Sequence, residues 1–136
     1  MILRESLKLI KLEDGNVLQF IKKTDNSFSE FGEAYFSYIN YNRIKGWKKH
    51  HKMTMNLVVP FGLVKFVFFD KNKKFLLEEI IGPENYYKIQ VPPGYWYAFK
   101  GLSNEKSLIC NLANIIHDDG EVEKIALEEI QYNWSL

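Results

Sequence analysis

His50 and His51 stand side by side in a stretch from Ile44 to Gly62 that also carries Lys45, Lys48, Lys49, Lys52 and Asn56. Imidazole is the side chain best placed to move protons near neutral pH. Lysines and a carboxamide beside it supply donors for a negative charge. The stretch runs into β-branched residues closed by Pro60-Phe61-Gly62, and a second unit places Val91-Pro92-Pro93-Gly94 just ahead of Tyr95, Trp96 and Tyr97. A polar cluster on one strand, faced by a turn that feeds another, is how a small barrel builds a pocket. A phenol there can give a proton to an enolate. His50 is therefore the candidate base and Tyr97 the candidate acid.

Neighbouring side chains on a strand face opposite ways. If this stretch is extended, His50 shares a face with Lys52, Thr54 and Asn56, while His51 shares one with Met53, Met55 and Leu57 and reads as core. Parity thus favours His50 over His51, although a bulge would reverse it. Asp70 follows the apolar run Val64 to Phe69. It reads as a strand cap and as the candidate carboxylate to orient His50. A metal is not expected. Adjacent strand histidines diverge, no glutamate follows them before Pro60, and zinc needs three or four converging ligands.

The elements that must position these groups are strands. Val17 to Ile21, Glu33 to Tyr41, Met55 to Val59, Leu63 to Phe69, Phe75 to Ile81, Tyr86 to Val91, Tyr95 to Phe99 and Ser107 to Ile116 are short β-forming runs separated by turn chemistry. That pattern predicts an antiparallel sandwich or barrel of about eight or more strands. Pro60-Phe61-Gly62 reads as a hairpin turn. The one long helix candidate spans Gly120 to Ile130, with Val122, Ile125, Ala126 and Ile130 at helical spacing; the tail to Trp134 reads as a strand or extended arm.

The chain has 136 residues, 46% of them hydrophobic and 15% aromatic. That predicts a single domain over residues 1–136 with one core. Eighteen Lys and Arg against 17 Asp and Glu give no electrostatic reason to expect nucleic acid or an anionic membrane as partner. No run approaches the ~18 apolar residues of a membrane span, and the N-terminus lacks a signal-peptide core. Cys110 is the sole cysteine. It excludes an intrachain disulfide, fits a reducing compartment, and reads as a buried, inert thiol. A cytoplasmic location is expected.

Four motifs, in order, resemble the dTDP-4-dehydrorhamnose 3,5-epimerase family of the cupin superfamily. Lys45-Gly46-Trp47 with His50 is similar to its Arg-Gly-Leu-His element. Phe61-Gly62 into Val64 to Asp70 is similar to its Gly-x-Val…Asp strand. Val91 to Phe99 is similar to its Ile-Pro-x-Gly-Phe-Ala-His-Gly-Phe turn, and Asn114 to Asp118 to its Asn-Tyr-Tyr-Asp-Pro element. The resemblance runs from about Gly32 to His117 and implies an all-β, cupin-like jelly-roll antiparallel barrel with a short helical or extended C-terminal tail. It also implies a homodimer, a nucleotide-sugar substrate and no cofactor. In such enzymes a histidine removes a proton beside a 4-keto group and a tyrosine returns one from the opposite face. A lysine and other donors stabilise the enolate.

On this reading Lys45, Lys48 and Lys52 are candidates for the diphosphate, Trp47 and Trp96 for stacking on the nucleotide base, Tyr95 for an aromatic wall, and Asn56, Asn111 and Asn114 for sugar hydroxyls. The departures are specific. Lys45 replaces the family arginine and so loses its bidentate grip. The downstream lysine falls near Met55, the turn histidine is Tyr97, a family tyrosine becomes Cys110 or Asn111, and the C-terminal aspartate behind the base has no counterpart. The expected activity is epimerisation or isomerisation of a nucleotide-linked 4-keto-6-deoxy sugar in surface-polysaccharide synthesis. The alternatives are a non-catalytic sugar-nucleotide or carbohydrate-binding cupin and a sugar 3,4-ketoisomerase.

Overall fold

A computed structural model describes residues 1–135. In chain order the strands are β1 (Leu3–Ser6), β2 (Leu9–Ile10), β3 (Val17–Leu18), β4 (Glu33–Ile39), β5 (Ile44–His50), β6 (Met55–Phe61), β7 (Val64–Phe69), β8 (Phe75–Ile81), β9 (Tyr87–Val91), β10 (Trp96–Gly101), β11 (Ser107–Ala113) and β12 (Val122–Lys124). One five-stranded sheet runs β1-β9-β6-β11-β4 and the other β12-β5-β10-β7-β8, with β2 and β3 as a separate pair. Every pairing between these strands is antiparallel.

The two large sheets form a cupin-like sandwich that stays open at its edges, rather than a closed barrel. Alternation sets the core between them. Met55, Leu57 and Val59 of β6 face Phe66 and Phe68 of β7, with Ile89, Val91 and Ile109 completing the layer. Burial of these side chains is the main stabilising term. Cys110 points the other way, beside Val58 and Tyr86, and burial raises its thiol pKa.

Two expectations are overturned. Pro60-Phe61-Gly62 does not close a hairpin, because β6 and β7 lie in different sheets. Gly62 has φ +91°, and a Cβ there would come 2.2 Å from the Ser107 hydroxyl oxygen. The chain squeezes past Ser107 as it changes sheets, which only glycine permits. The hairpin is instead β7–β8. Its turn is built by Asp70, whose Oδ1 accepts the N–H of Asn72 at 2.8 Å and of Lys74 at 2.9 Å.

The predicted helix from Gly120 to Ile130 is also absent. Asp119–Glu121 and Leu127–Glu129 are single 3-10 turns, and β12 between them pairs with β5. Ile125 and Trp47 exchange backbone hydrogen bonds at 3.2 and 3.3 Å. The helically spaced apolar residues pack instead as an extended strap: Ile125, Leu127 and Ile130 cover Trp47 on the outer face of the second sheet. Tertiary pairing outweighs a local propensity worth only tenths of a kcal/mol per residue.

Candidate active site between the sheets

A bulge sets which side chains of β5 face inward. Tyr97 pairs with Lys48 but Ala98 pairs with Gly46, so Trp47 is the extra residue. Gly46 lies so close to β10 that a Cβ would sit 2.3 Å from that of Ala98. The bulge lets both Lys45 and Lys48 line the space between the sheets, while Trp47 turns outward. Past the bulge, alternation carries His50 inward with Lys48, and His50 is 6% exposed.

His50 is held from both ring nitrogens. Its Nδ1 makes a short hydrogen bond with Glu121 Oε2. The other Glu121 oxygen accepts the backbone N–H groups of Lys52 at 2.9 Å and Met53 at 2.8 Å. Burial pushes the Glu121 carboxyl upward, but the hydrogen bonds from His50, Met53 and Lys52 and the attraction of His50 outweigh it, leaving the group below the usual carboxylate range. An ionised carboxylate only accepts, so Nδ1 carries the hydrogen and Nε2 is left as the acceptor. The Tyr97 hydroxyl lies 3.2 Å from Nε2 and donates to it. Burial, then the neighbouring Tyr35 and Glu121, raise the Tyr97 pKa strongly. Its proton is retained at neutral pH.

Two neighbouring cavities that share lining residues adjoin this group. The inner one, about 140 Å³, reaches apolar Met55, Leu57, Phe66, Phe99 and Ile109 and is edged by Lys45, Lys48, Tyr35, Tyr97 and Asn111. The outer basin, about 260 Å³, is lined by His50, Glu33, His117 and Lys124 and shares Tyr35, Lys48 and Tyr97 with the inner one. Burial, then repulsion from Lys124 and Lys45, lowers the Lys48 pKa. Three ammonium groups around one opening favour an anion.

The structure therefore gathers His50, Tyr97, Lys45, Lys48 and Asn111 around one space and places the other candidates elsewhere. Asp70 is in the β7–β8 turn; Glu121 is the carboxylate that contacts His50. Trp47 and Trp96 are buried in the cluster beneath the C-terminal strap, and the Trp47 indole donates to Leu127 O at 3.0 Å. Lys52 lies beyond the end of β5 with its side chain exposed. Asn56 is on the outer face of its sheet, donating to Leu112 O at 3.3 Å, because Met55 and Leu57 take the inner one. Tyr95 packs at the margin of the core, and Asn114 uses Oδ1 to accept the Thr54 N–H at 2.8 Å. His51 is not core: it is 47% exposed and pairs with Glu123 at 2.8 Å. Sequence reasoning missed Glu121, Tyr35, Glu33 and Lys124. Glu121 was hidden in an apparent helix and Tyr35 in an aromatic strand whose inward face was not identifiable.

Among the described residues no three or more His, Cys, Asp or Glu side chains converge to hold a metal ion, and no helix is long and apolar enough to cross a membrane. An open cupin-like sandwich with a carboxylate–histidine–tyrosine chain facing an inter-sheet cavity defines the class. The chain aligns with a dTDP sugar isomerase from Desulfovibrio desulfuricans G20 at 32% identity, TM-score 0.91, over 98% of this chain and 90% of that one. It belongs to a family of dTDP-sugar isomerases. The fold is shared with the dTDP-6-deoxy-D-glucose-3,5-epimerase of Legionella pneumophila in complex with dTDP-4-keto-L-rhamnose (14% identity, TM-score 0.79, covering 100% and 85% of the two chains). It is shared too with a sugar 3,4-ketoisomerase of Thermoanaerobacterium thermosaccharolyticum in complex with TDP (17% identity, TM-score 0.74, covering 95% and 93%). No protein-family model and no curated protein sequence matches the chain.

Proposed function

We propose that this protein is a sugar-nucleotide epimerase or isomerase that removes a proton beside the keto group of a dTDP-linked 4-keto-6-deoxy sugar, in surface-polysaccharide synthesis. The Glu121–His50–Tyr97 chain carries this reading. With Nδ1 committed to Glu121, Nε2 is the base. The carboxylate fixes the ring and stabilises the imidazolium that forms. A bound ketone takes the place of Nε2 as acceptor from Tyr97, freeing Nε2 for the C–H proton. The Tyr97 hydroxyl and the Lys48 ammonium then meet the charge developing on the oxygen, in a site where burial strengthens both. Lys45 and Lys124 flank the opening and suit the diphosphate. Tyr35, Lys48 and Tyr97 line both cavities, which supports one ligand spanning the two, with the sugar against His50.

The reading includes a homodimer. Phe36 is 72% and Tyr38 53% exposed on β4, an edge strand of its sheet, and such edges are covered in stable proteins. Light scattering at micromolar concentration should give twice 16.1 kDa; a monomer mass would remove this part. The activity is tested by incubating the protein with a dTDP-linked 4-keto-6-deoxy hexose in deuterium oxide. Deuterium should enter the carbon beside the ketone. Tight binding of the sugar nucleotide without incorporation would leave a binding protein instead.

A further inference from the structure

Strand register lays the cavity out in three levels. Across β5 and β10, Lys45 pairs with Phe99 and Lys48 with Tyr97, and His50 follows two residues on. Across β4 and β11, Ser37 pairs with Ile109, Tyr35 with Asn111 and Glu33 with Ala113. Lys45, Phe99, Ser37 and Ile109 border only the inner cavity, and His50 and Glu33 only the outer basin. Lys48, Tyr97 and Tyr35 border both. Two residues of strand separate Lys48 from His50, roughly 7 Å. The base therefore stands to one side of the groups that meet the carbonyl oxygen.

The two ends differ in polarity. The inner floor is Met55, Leu57, Phe66 and Ile109, each no more than 4% exposed. Of the polar groups at that end, Lys45 Nζ donates to Tyr38 O at 2.6 Å. The Asn111 amide donates to the Tyr35 hydroxyl at 2.9 Å and accepts the Asn56 N–H at 3.0 Å. The outer end is polar: Glu33, His117 and Lys124 line it beside His50. Glu33 Oε1 accepts the His117 N–H at 2.8 Å, and a carboxylate has lone pairs beyond that bond to take a hydroxyl.

A 4-keto-6-deoxy hexose is unequal about its carbonyl in the same sense. C5, on one side, carries the C6 methyl; C3, on the other, carries a hydroxyl. We infer that the methyl enters the inner cavity, so that C3 lies against His50 and is the carbon that loses its proton, while C5 keeps its own. This rests on reading the site as one of proton transfer, with the keto oxygen at Tyr97 and Lys48. C1 lies across the ring from C4, which leaves the diphosphate clear of both ends. The reversed ring would press the C3 hydroxyl on the apolar floor and set the methyl among Glu33, His117 and Lys124. A hydroxyl buried without a partner is costly.

The proton balance is simple. His50 Nε2 takes the C3 proton, and the C–H electron pair becomes an enolate over C3 and C4, with charge on the oxygen facing Tyr97 and Lys48. A proton returned to C3 restores the 4-ketone. One returned to C4, with the hydroxyl proton passing from O3 to O4, moves the ketone to C3. Neither route changes the overall oxidation state, and neither touches C5.

The test uses a dTDP-linked 4-keto-6-deoxyglucose in deuterium oxide, followed by proton NMR. The H3 signal should disappear at the enzymatic rate. The C6 methyl should stay a doublet, because H5 still couples to it. Collapse of the methyl to a singlet, alone or with loss of H3, would overturn the assignment. Calorimetry tests the cavity itself. The wild type should bind dTDP-6-deoxyglucose about 10–10²-fold more tightly than dTDP-glucose, whose C6 hydroxyl would meet the apolar floor. Equal affinities would overturn the assignment too. Met55→Gln, checked for folding by a thermal melt, places an amide at that floor and should narrow the ratio; an unchanged ratio in the folded variant would count against the cavity as the methyl site. Retention of both H3 and H5 in a sugar nucleotide that binds fails at the earlier step, proton transfer itself, and withdraws both readings.

Discussion

Glu121 holds His50 through Nδ1 although the two residues stand 71 positions apart. β12 makes the contact possible by pairing Val122 with His50, which brings the residue just before the strand under the end of β5. Glu121→Gln keeps the shape but lets the imidazole adopt either tautomer. Deuterium incorporation should fall by about 10²–10⁴-fold while dTDP binding is retained. An unchanged rate would show that the carboxylate does not set the base.

The same carboxylate predicts an acid dependence. Its folded pKa lies below the ordinary value of 4.5 for a glutamate, so its contribution is present above that value and is lost as pH falls through the folded pKa. Urea midpoints should drop between neutral pH and the region below 4.5, and the drop should be smaller in Glu121→Gln. Equal drops would place the acid sensitivity elsewhere.

His50→Ala should abolish incorporation, by about 10²–10⁴-fold, in a protein that still folds. His51→Ala should change neither incorporation nor melting temperature appreciably, since His51 is half exposed and its pairing with Glu123 is a surface ion pair worth at most about 1 kcal/mol. Reversal of these effects would move the base to His51.

Lys124→Ala should weaken dTDP binding measured by calorimetry, and the remaining affinity should depend less on salt, because one ammonium no longer contributes a screened attraction. Lys52→Ala, altering an exposed side chain outside both cavities, should not. A loss of affinity only in the Lys52 variant would relocate the anion site.

Trp47→Ala should act on stability. Its indole is fully buried under the C-terminal strap, and truncation of a buried aromatic costs about 3–5 kcal/mol. Denaturant unfolding should show that loss, and dTDP affinity per folded molecule should be unchanged. A stable variant with weakened binding would restore Trp47 to the ligand.

Strand content was legible because alternation and turn residues are local. β6, β9 and β11 lie close to where the pattern put them, and Asp70 closes its strand as the cap it was read to be. His50 is the inward histidine, but not for the reason parity gave: Met55 and Leu57, grouped with His51 by alternation, face the inter-sheet core, and Asn56 faces the outer side. β5 ends at His50, so alternation stops there. Trp47 and Trp96 looked like stacking surfaces because a sequence does not say which face of a sheet a strap will cover.

By itself, the sequence determined an all-β chain rich in aromatics and kinship to dTDP-sugar-modifying enzymes through ordered motifs. These follow from the period-2 alternation and from residue types at fixed local spacing. Only the tertiary structure decided that Gly62 changes sheets, that residues 122–124 form a strand, that Glu121 lies behind His50, and that Tyr35 lines the cavity. Those outcomes depend on partners distant in the chain: Glu121 is held below the usual carboxylate range because His50, Met53 and Lys52 donate to it, and Tyr35 lines the cavity because the opposing sheet sets its wall across the same space.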